Sequence, residues 1–337
     1  MEEEVRFMKK ITKMMIMLFC LSAGLLFLGS VTAEAAETVS KGSYTYFAKD
    51  GTLYKMHNTK GTITKITSFK RSDTVDVFAV KGDWLYLTLD DYYSKHGSDK
   101  SWPYVCRIKT NGKSFKAMGQ GVGSFVYGNY IYYIRWKFDK TKDEYPEYPG
   151  LYRMKLDGTE KKKLCSPGEY YYWAKLYNKR IYFCASTDNS TKCGIYSVNL
   201  SGKDLKKEAT GYYTTMPYFY QNAIYMTVYN TKGDCIYKKD LKTGKVSYFM
   251  KGMLYTGYNG EIYYSVRKGE NQKLRRYNIK KKSWKKVCSR TSFSDVIGGK
   301  KWMIIEYFRP GIGNNIGVDR ITLTGKSRKT IKTYFRS

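Results

Sequence analysis

Residues 151–159 read Leu151-Tyr152-Arg153-Met154-Lys155-Leu156-Asp157-Gly158-Thr159, and the fold turns on how often this pattern returns. Tyr152, Met154 and Leu156 alternate with Arg153 and Lys155, the period of a half-buried strand. Asp157-Gly158 tolerates the positive φ of a tight reversal. A basic segment, Lys161-Lys162-Lys163-Leu164, follows as the next strand. Upstream, Gly128-Asn129 reads as a two-residue hairpin turn and Ile131-Tyr132-Tyr133-Ile134 as the strand after it.

Working outward, the strand at Ile131 has counterparts beginning at Tyr44, Leu85, Ile181, Ile224, Ile262 and Trp302. Their spacing centres near 43 residues, the length of a four-stranded propeller blade. Turn residues precede most copies: Gly82-Asp83, Asn178-Lys179, Gln221-Asn222, Asn259-Gly260 and Gly298-Gly299. The pattern at Leu151 recurs from Leu53, Val105, Ile195, Ile236, Leu274 and Asp319. One such sheet cannot bury its faces alone, but several arranged radially do. The reading is an all-β propeller of four-stranded antiparallel blades after an N-terminal signal helix. Seven blades are expected, or six if a terminal unit is degenerate. The first unit lacks an obvious opening strand, and the tail Thr333-Tyr334-Phe335 is expected to supply it and close the ring. The alternative, a pair of β-sandwiches, fits the constant order of turn, strand, loop and strand poorly. Thirty-five tyrosines suit pleated, half-buried surfaces.

The Ile-Tyr-Tyr strand and the segment 151–159 resemble a family of secreted bacterial propellers of unknown function, related to the propellers of lipoprotein receptors and of periplasmic TolB. The resemblance covers roughly Ser40 to the end, and its motifs are structural. It implies a propeller fold and a non-cytoplasmic location. It implies no reaction, because no catalytic residues come with it.

Residues 1–36 read as a signal peptide and 37–337 as the single propeller domain. Lys9, Lys10 and Lys13 precede an apolar run from Met14 to Val31, and Ala33-Glu34-Ala35-Ala36 offers a small-residue cleavage site. An uncleaved segment is the competing reading and the only expected membrane attachment. Three glutamates before Phe7 fit a signal badly, so translation is expected to start at Met8. The mature chain is expected to be a monomer, secreted or associated with the cell wall.

The net charge is +31. Residues 1–35 carry four acids (Glu2, Glu3, Glu4, Glu34) and four bases (Arg6, Lys9, Lys10, Lys13), so cleavage leaves the charge unchanged. Such a field attracts polyanions. Outside a cell these are anionic wall polymers, lipid head groups and acidic glycans; nucleic acid is disfavoured by location. The lysines of 161–163, 280–282 and 285–286 fall at or beside fourth strands, where they also block edge-to-edge pairing.

Chemistry-bearing motifs are sparse. His57 and His96 have no partners at metal-ligand spacing. Neither a G-x-S-x-G elbow nor a phosphate-binding loop occurs, and Gly311–Gly317 reads as a loop. The carboxylate pairs Asp90/Asp91 and Glu144/Glu147 read as solvated loop charge. No cofactor or metal is expected, and no enzyme activity. Six cysteines remain after Cys20, best read as small strand residues; Cys184 and Cys193 flank one hairpin loop and are the candidate disulfide pair.

Aromatic loops are the candidate ligand site. From Leu85 to Cys106 and from Ile131 to Tyr152 the chain runs 21 residues, against 10–17 at the matched positions of other units. These insertions carry Tyr92, Tyr93 and Trp102, then Tyr145 and Tyr148. Tyr170, Tyr171 and Trp173, and Tyr212 and Tyr213, connect one unit to the next. Both connection types emerge on one propeller face, where length variation is tolerated. Aromatic faces suit sugar rings or peptides. The expected function is extracellular, non-catalytic binding of a wall polymer, glycan or protein. Alternatives are a propeller enzyme acting on polysaccharide and an assembly partner in an envelope complex.

Overall fold

The structure, a computed structural model, describes residues 39–49, 51–69, 75–89, 103–137, 147–168, 170–186, 193–211, 216–230, 233–268, 271–290, 292–297, 302–308 and 316–334. Their regular structure is all strand. Blade 1 holds β1 (Val39–Lys41), β2 (Tyr44–Lys49), β3 (Thr52–His57) and β4 (Ile63–Ser68). Blade 2 holds β5 (Val75–Lys81), β6 (Trp84–Leu89), β7 (Tyr104–Lys109) and β8 (Lys116–Gln120). Blade 3 holds β9 (Val122–Tyr127), β10 (Tyr130–Lys137), β11 (Glu147–Lys155) and β12 (Lys162–Cys165). Blade 4 holds β13 (Tyr170–Tyr177), β14 (Arg180–Ser186), β15 (Cys193–Asn199) and β16 (Lys206–Gly211). Blade 5 holds β17 (Tyr218–Tyr220), β18 (Ala223–Asn230), β19 (Gly233–Asp240) and β20 (Val246–Lys251). Blade 6 holds β21 (Met253–Tyr258), β22 (Glu261–Lys268), β23 (Asn271–Asn278) and β24 (Ser283–Arg290). Blade 7 holds β25 (Ser292–Ile297), β26 (Trp302–Phe308), β27 (Ile316–Thr322) and β28 (Arg328–Tyr334). Each sheet keeps sequence order, with antiparallel neighbours. The molecule is a ring of seven four-stranded blades, the upper of the two expected blade counts.

Each second strand has a mostly apolar centre because both faces of its sheet pack against a neighbouring blade. In β14, Ile181 and Phe183 join Leu151 and Leu164 of blade 3. Tyr182 and Cys184, on the other face, join Phe219 and Ile224 of blade 5. The strand therefore reads as a continuous run, as strands buried on both faces do. Third strands bury less and alternate visibly, which is why Leu151–Leu156 carries the clearest period.

The hairpin turns have the backbone their residues suggest. Asn178 and Lys179 lie at φ 46° and 59°, Gln221 and Asn222 at 46° and 56°, and Asn259 and Gly260 at 49° and 76°. Two successive left-handed residues make the type I′ turn that matches strand twist.

Closure of the ring differs from the expectation. β28 remains the fourth strand of blade 7, paired with β27. Blade 1 opens with its own β1, in register Val39↔Tyr46 and Lys41↔Tyr44. Three residues are too few to show a period, so the strand escaped notice. The seam is shut by side chains: Phe47 and Met56 of blade 1 pack with Ile304 of blade 7, flanked by Trp302.

Candidate functional site

With strands in the order 1-2-3-4, first-to-second and third-to-fourth connections share one end of a blade. Second-to-third connections and blade crossovers share the other. The two ends are made differently.

At the turn end, neighbouring blades interlock. Arg107 of β7 stacks 4.2 Å over Trp84 and donates to Leu156 O of blade 3 at 3.0 Å. Arg153 of β11 stacks 4.4 Å over Tyr130 and donates to Leu200 O of blade 4 at 3.2 Å. Arg320 of β27 stacks 4.7 Å over Trp302 and donates to Lys60 O of blade 1 at 3.4 Å, across the seam. Glycines press the receiving turns onto the preceding blade: a Cβ at Gly202 would stand 2.6 Å from Leu164 O, and one at Gly325 2.3 Å from Val287 O. Blade 6 replaces the stack by an ion pair, Arg276 to Glu261 at 3.3 Å. Between blades 4 and 5, Lys239 pairs with Glu208 at 3.1 Å, and Ser197 donates to Glu208 at 2.6 Å.

At the loop end, strand pairs open into connections of unequal length. The pairs Leu89↔Tyr104 and Lys137↔Glu147 flank residues 90–103 and 138–146. Ala185↔Gly194 stands before 187–192. Blades 5 and 6 close with only 231–232 and 269–270 between their strands. The two longest connections thus belong to the adjacent blades 2 and 3, followed by 309–315 of blade 7 and 187–192 of blade 4.

The sequence-predicted residues divide three ways. Tyr92, Tyr93, Trp102, Tyr145, Tyr212 and Tyr213 lie outside the described residues, in connections that start and finish at this end. Tyr148 and Tyr170 are strand residues of β11 and β13 whose side chains lie outside the description. Tyr171 and Trp173 correct the expectation, because both are buried, at 7% and 5% exposure. A β-bulge explains them: Tyr171 pairs with Ala185 and Trp173 with Cys184, so Tyr172 is the extra residue. Tyr171 enters the layer between blades 3 and 4, and Trp173 the layer between blades 4 and 5.

Three side chains at this end were missed. Tyr172 is half exposed, Tyr229 near the end of β18 is 64% exposed, and Arg135 is exposed with its guanidinium 5.2 Å over the Tyr152 ring. The signal for Tyr229 was an aromatic next to the Asn230–Gly233 reversal. Beneath Arg135, burial pushes the Tyr133 phenol up to about 12, an effect the nearby guanidinium reduces. Lys175 is buried, donates to Pro217 O at 3.2 Å and lies 5.9 Å from the Phe219 ring centre. Such a surface can stack on planar or sugar faces and attract anions.

Among the described residues no cluster of three metal-ligating side chains occurs. His57 caps its own turn, its Nδ1 accepting from Thr59 N and Lys60 N at 3.2 Å each. His96, Asp90, Asp91 and Glu144 lie outside the described residues.

No protein-family model and no curated protein matches the chain. Solved structures do. A puromycin-hydrolysing peptidase of Mycobacterium tuberculosis is 11% identical, with TM-score 0.58 over 89% of this chain, which spans 53% of that one. An oligogalacturonate lyase in complex with manganese is 14% identical, with TM-score 0.52, over 78% of this chain and 82% of that one. TolB from Acinetobacter baumannii, the kind of propeller the sequence resembles, is 14% identical, with TM-score 0.47, over 84% and 76%. These likenesses share the propeller fold and nothing finer. They also withdraw one expectation, that the chain is no enzyme. The fold accommodates a peptidase and a lyase, so a lack of familiar motifs decides nothing about a reaction.

Proposed function

We propose that this chain is an extracytoplasmic binding propeller that holds an anionic polymer of the cell envelope, a wall polymer or acidic glycan, on its loop-bearing end. The observation that carries the reading is the division between the two ends. Turns tied to neighbouring blades seal one, while the other carries the two longest connections, on the adjacent blades 2 and 3, and bears Arg135, Tyr172 and Tyr229. Loops on a rigid scaffold are where binding residues collect. The charge of +31 supplies general attraction, and residues 1–36 supply the export segment.

The test is a binding array of wall polymers and glycans, read at low and high salt. Charge attraction fades beyond about 8–10 Å near physiological ionic strength, whereas stacking persists. Replacing Trp102 and Tyr145 together by alanine should abolish most of the high-salt affinity, about ten-fold or more for two lost stacking contacts, and leave the melting temperature unchanged. Unchanged high-salt affinity for a polymer that binds the parent chain overturns the site. Sizing the polymer after incubation shows whether it is also cut.

A further inference from the structure

Cys184 lies on β14 opposite Ile195 of β15. Cys193 precedes Ile195 by two residues, so alternation places both sulfurs on the same face of the hairpin. They are diagonal neighbours on adjacent strands, whose side chains converge on one face at a usual separation of about 7–8 Å. The two side chains are 0% and 2% exposed, in the apolar layer between blades 4 and 5 with Trp173 and Ile224. Their thiols hydrogen-bond to one another, and that contact, with burial, holds the Cys184 thiol far above its ordinary pKa. The other cysteines of the ring are placed differently. Cys106, Cys165, Cys235 and Cys288 occupy β7, β12, β19 and β24, in four separate blades. Cys106 faces Leu87, Cys165 faces Leu151, and Cys288 faces Leu274. Those are small apolar fillers.

We propose that Cys184 and Cys193 are a disulfide site, closed by thiol–disulfide exchange while blade 4 is forming. The structure shows them as free thiols in contact. Bonding needs their sulfurs to approach to about 2.05 Å, which requires the backbone at the first residue of β15 to shift toward β14. One thiolate attacks a disulfide oxidant, R–S–S–R, forms a mixed disulfide and releases the first R–S⁻. The second thiolate attacks the protein sulfur of that mixed disulfide, forms the Cys184–Cys193 bond and releases the second R–S⁻. Two electrons pass from the cysteines to the oxidant, and the two thiol protons end on the released thiols. Attack requires a thiolate that reaches the oxidant. In the finished ring both sulfurs are buried and out of reach of an oxidant, so the bond belongs to the stage before blade 5 covers the hairpin. In the cell the bond rests on the export reading above, since only an oxidising compartment maintains it. The experiment below does not depend on that reading.

Trypsin cuts at Arg180, Lys192 and Lys203, so Cys184 and Cys193 leave on separate peptides, 181–192 and 193–203. Reduced, denatured full-length chain is refolded with oxidised and reduced glutathione, quenched in acid, alkylated and digested without reduction. The expected product is peptide 181–192 joined to 193–203, separating on reduction, with Cys106, Cys165, Cys235 and Cys288 alkylated. Recovery of both peptides alkylated, or of either joined to a different cysteine, overturns the site. Folded reduced protein given the same oxidant should form the linked pair at least about ten-fold more slowly. Equal rates overturn the claim that the bond precedes burial.

Discussion

At the turn end, the connection of blade 4 lies against Leu164 of blade 3 and accepts a hydrogen bond from Arg153. At the loop end, the same two blades carry segments 138–146 and 187–192, nine and six residues long, where blades 5 and 6 have only two. Third-to-fourth connections run only from 279–282 at the shortest to 110–115 at the longest, whereas second-to-third connections run from 231–232 to 90–103. The contrast has a mechanical origin. A turn that receives an arginine from one blade and packs on its outer strand is held at both points, so its length and its glycine are fixed. A second-to-third connection has only its two strand ends to satisfy, and loop-closure cost grows slowly with length. Variation therefore collects at one end, the end to which the proposed binding is assigned.

The largest expected effect tests whether the turns are interlocked. Gly325 sits at φ +77° with Val287 O 2.3 Å from where a Cβ would lie; Gly82 sits at φ +57° with open space around it. Alanine at Gly82 should cost about 1–2 kcal/mol, the strain of a left-handed backbone alone. Alanine at Gly325 should cost about 3–5 kcal/mol, because backbone of blade 6 must also move. Urea unfolding measures both. Equal costs would mean that the turn of blade 7 does not press on blade 6.

A middling effect comes from tyrosines just inside the same end. Tyr182 and Tyr225 are each pushed up to about 12, by burial first. An unfolded chain ionises its tyrosines near pH 10, so the folded state gains nothing below that pH. Between about pH 10 and pH 12 the unfolded state loses protons that the folded state keeps, and stability falls. At about 1.4 kcal/mol per pH unit, each phenol removes roughly 2–3 kcal/mol by pH 12. Replacing both by phenylalanine should flatten this alkaline decline, followed as unfolding free energy against pH. An unaltered decline would place the alkaline weakness in other buried phenols, such as Tyr263, which burial also pushes up.

The sequence made the blades legible because strands buried on both faces and half-buried third strands have distinct patterns, repeated seven times. The turns were legible too, since Asn178-Lys179 and Asn259-Gly260 tolerate positive φ. β1 was not, because Val39–Lys41 is too short for any period. The run Tyr170–Trp173 misled for a local reason. A bulge at Tyr172 sends Tyr171 and Trp173 into opposite blade junctions and leaves outside the one tyrosine of the run not singled out. The arginine stacks were hidden in plain view: Arg107, Arg153 and Arg320 occupy one repeated position, but their acceptors are backbone carbonyls in the next blade, which no side-chain pattern reveals.

The smallest effect concerns the seam. A ring closed by strand exchange would hold its first and last blades by a ladder of backbone hydrogen bonds. Here β1 and β28 stay in their own sheets, so blades 7 and 1 meet as any neighbouring pair does. Arg320 then does at the seam what Arg153 does between blades 3 and 4, with a cation–π stack and one hydrogen bond to a turn carbonyl. A stack contributes about 0.5–1 kcal/mol and a charged hydrogen bond somewhat more, less the desolvation of the guanidinium. Arg320→Met and Arg153→Met should each cost about 1–2 kcal/mol, measured by thermal unfolding of the two variants side by side. Near-equality is the expected outcome, because each guanidinium stacks on one ring, at 4.4 and 4.7 Å, and donates to one turn carbonyl, at 3.2 and 3.4 Å. A cost at Arg320 several-fold above that at Arg153 would show that the seam relies on this contact more than an internal junction does. No cost at Arg320 would show that Phe47, Met56 and Ile304 hold the seam without it. Either result would end the equivalence of the seam with the junction between blades 3 and 4.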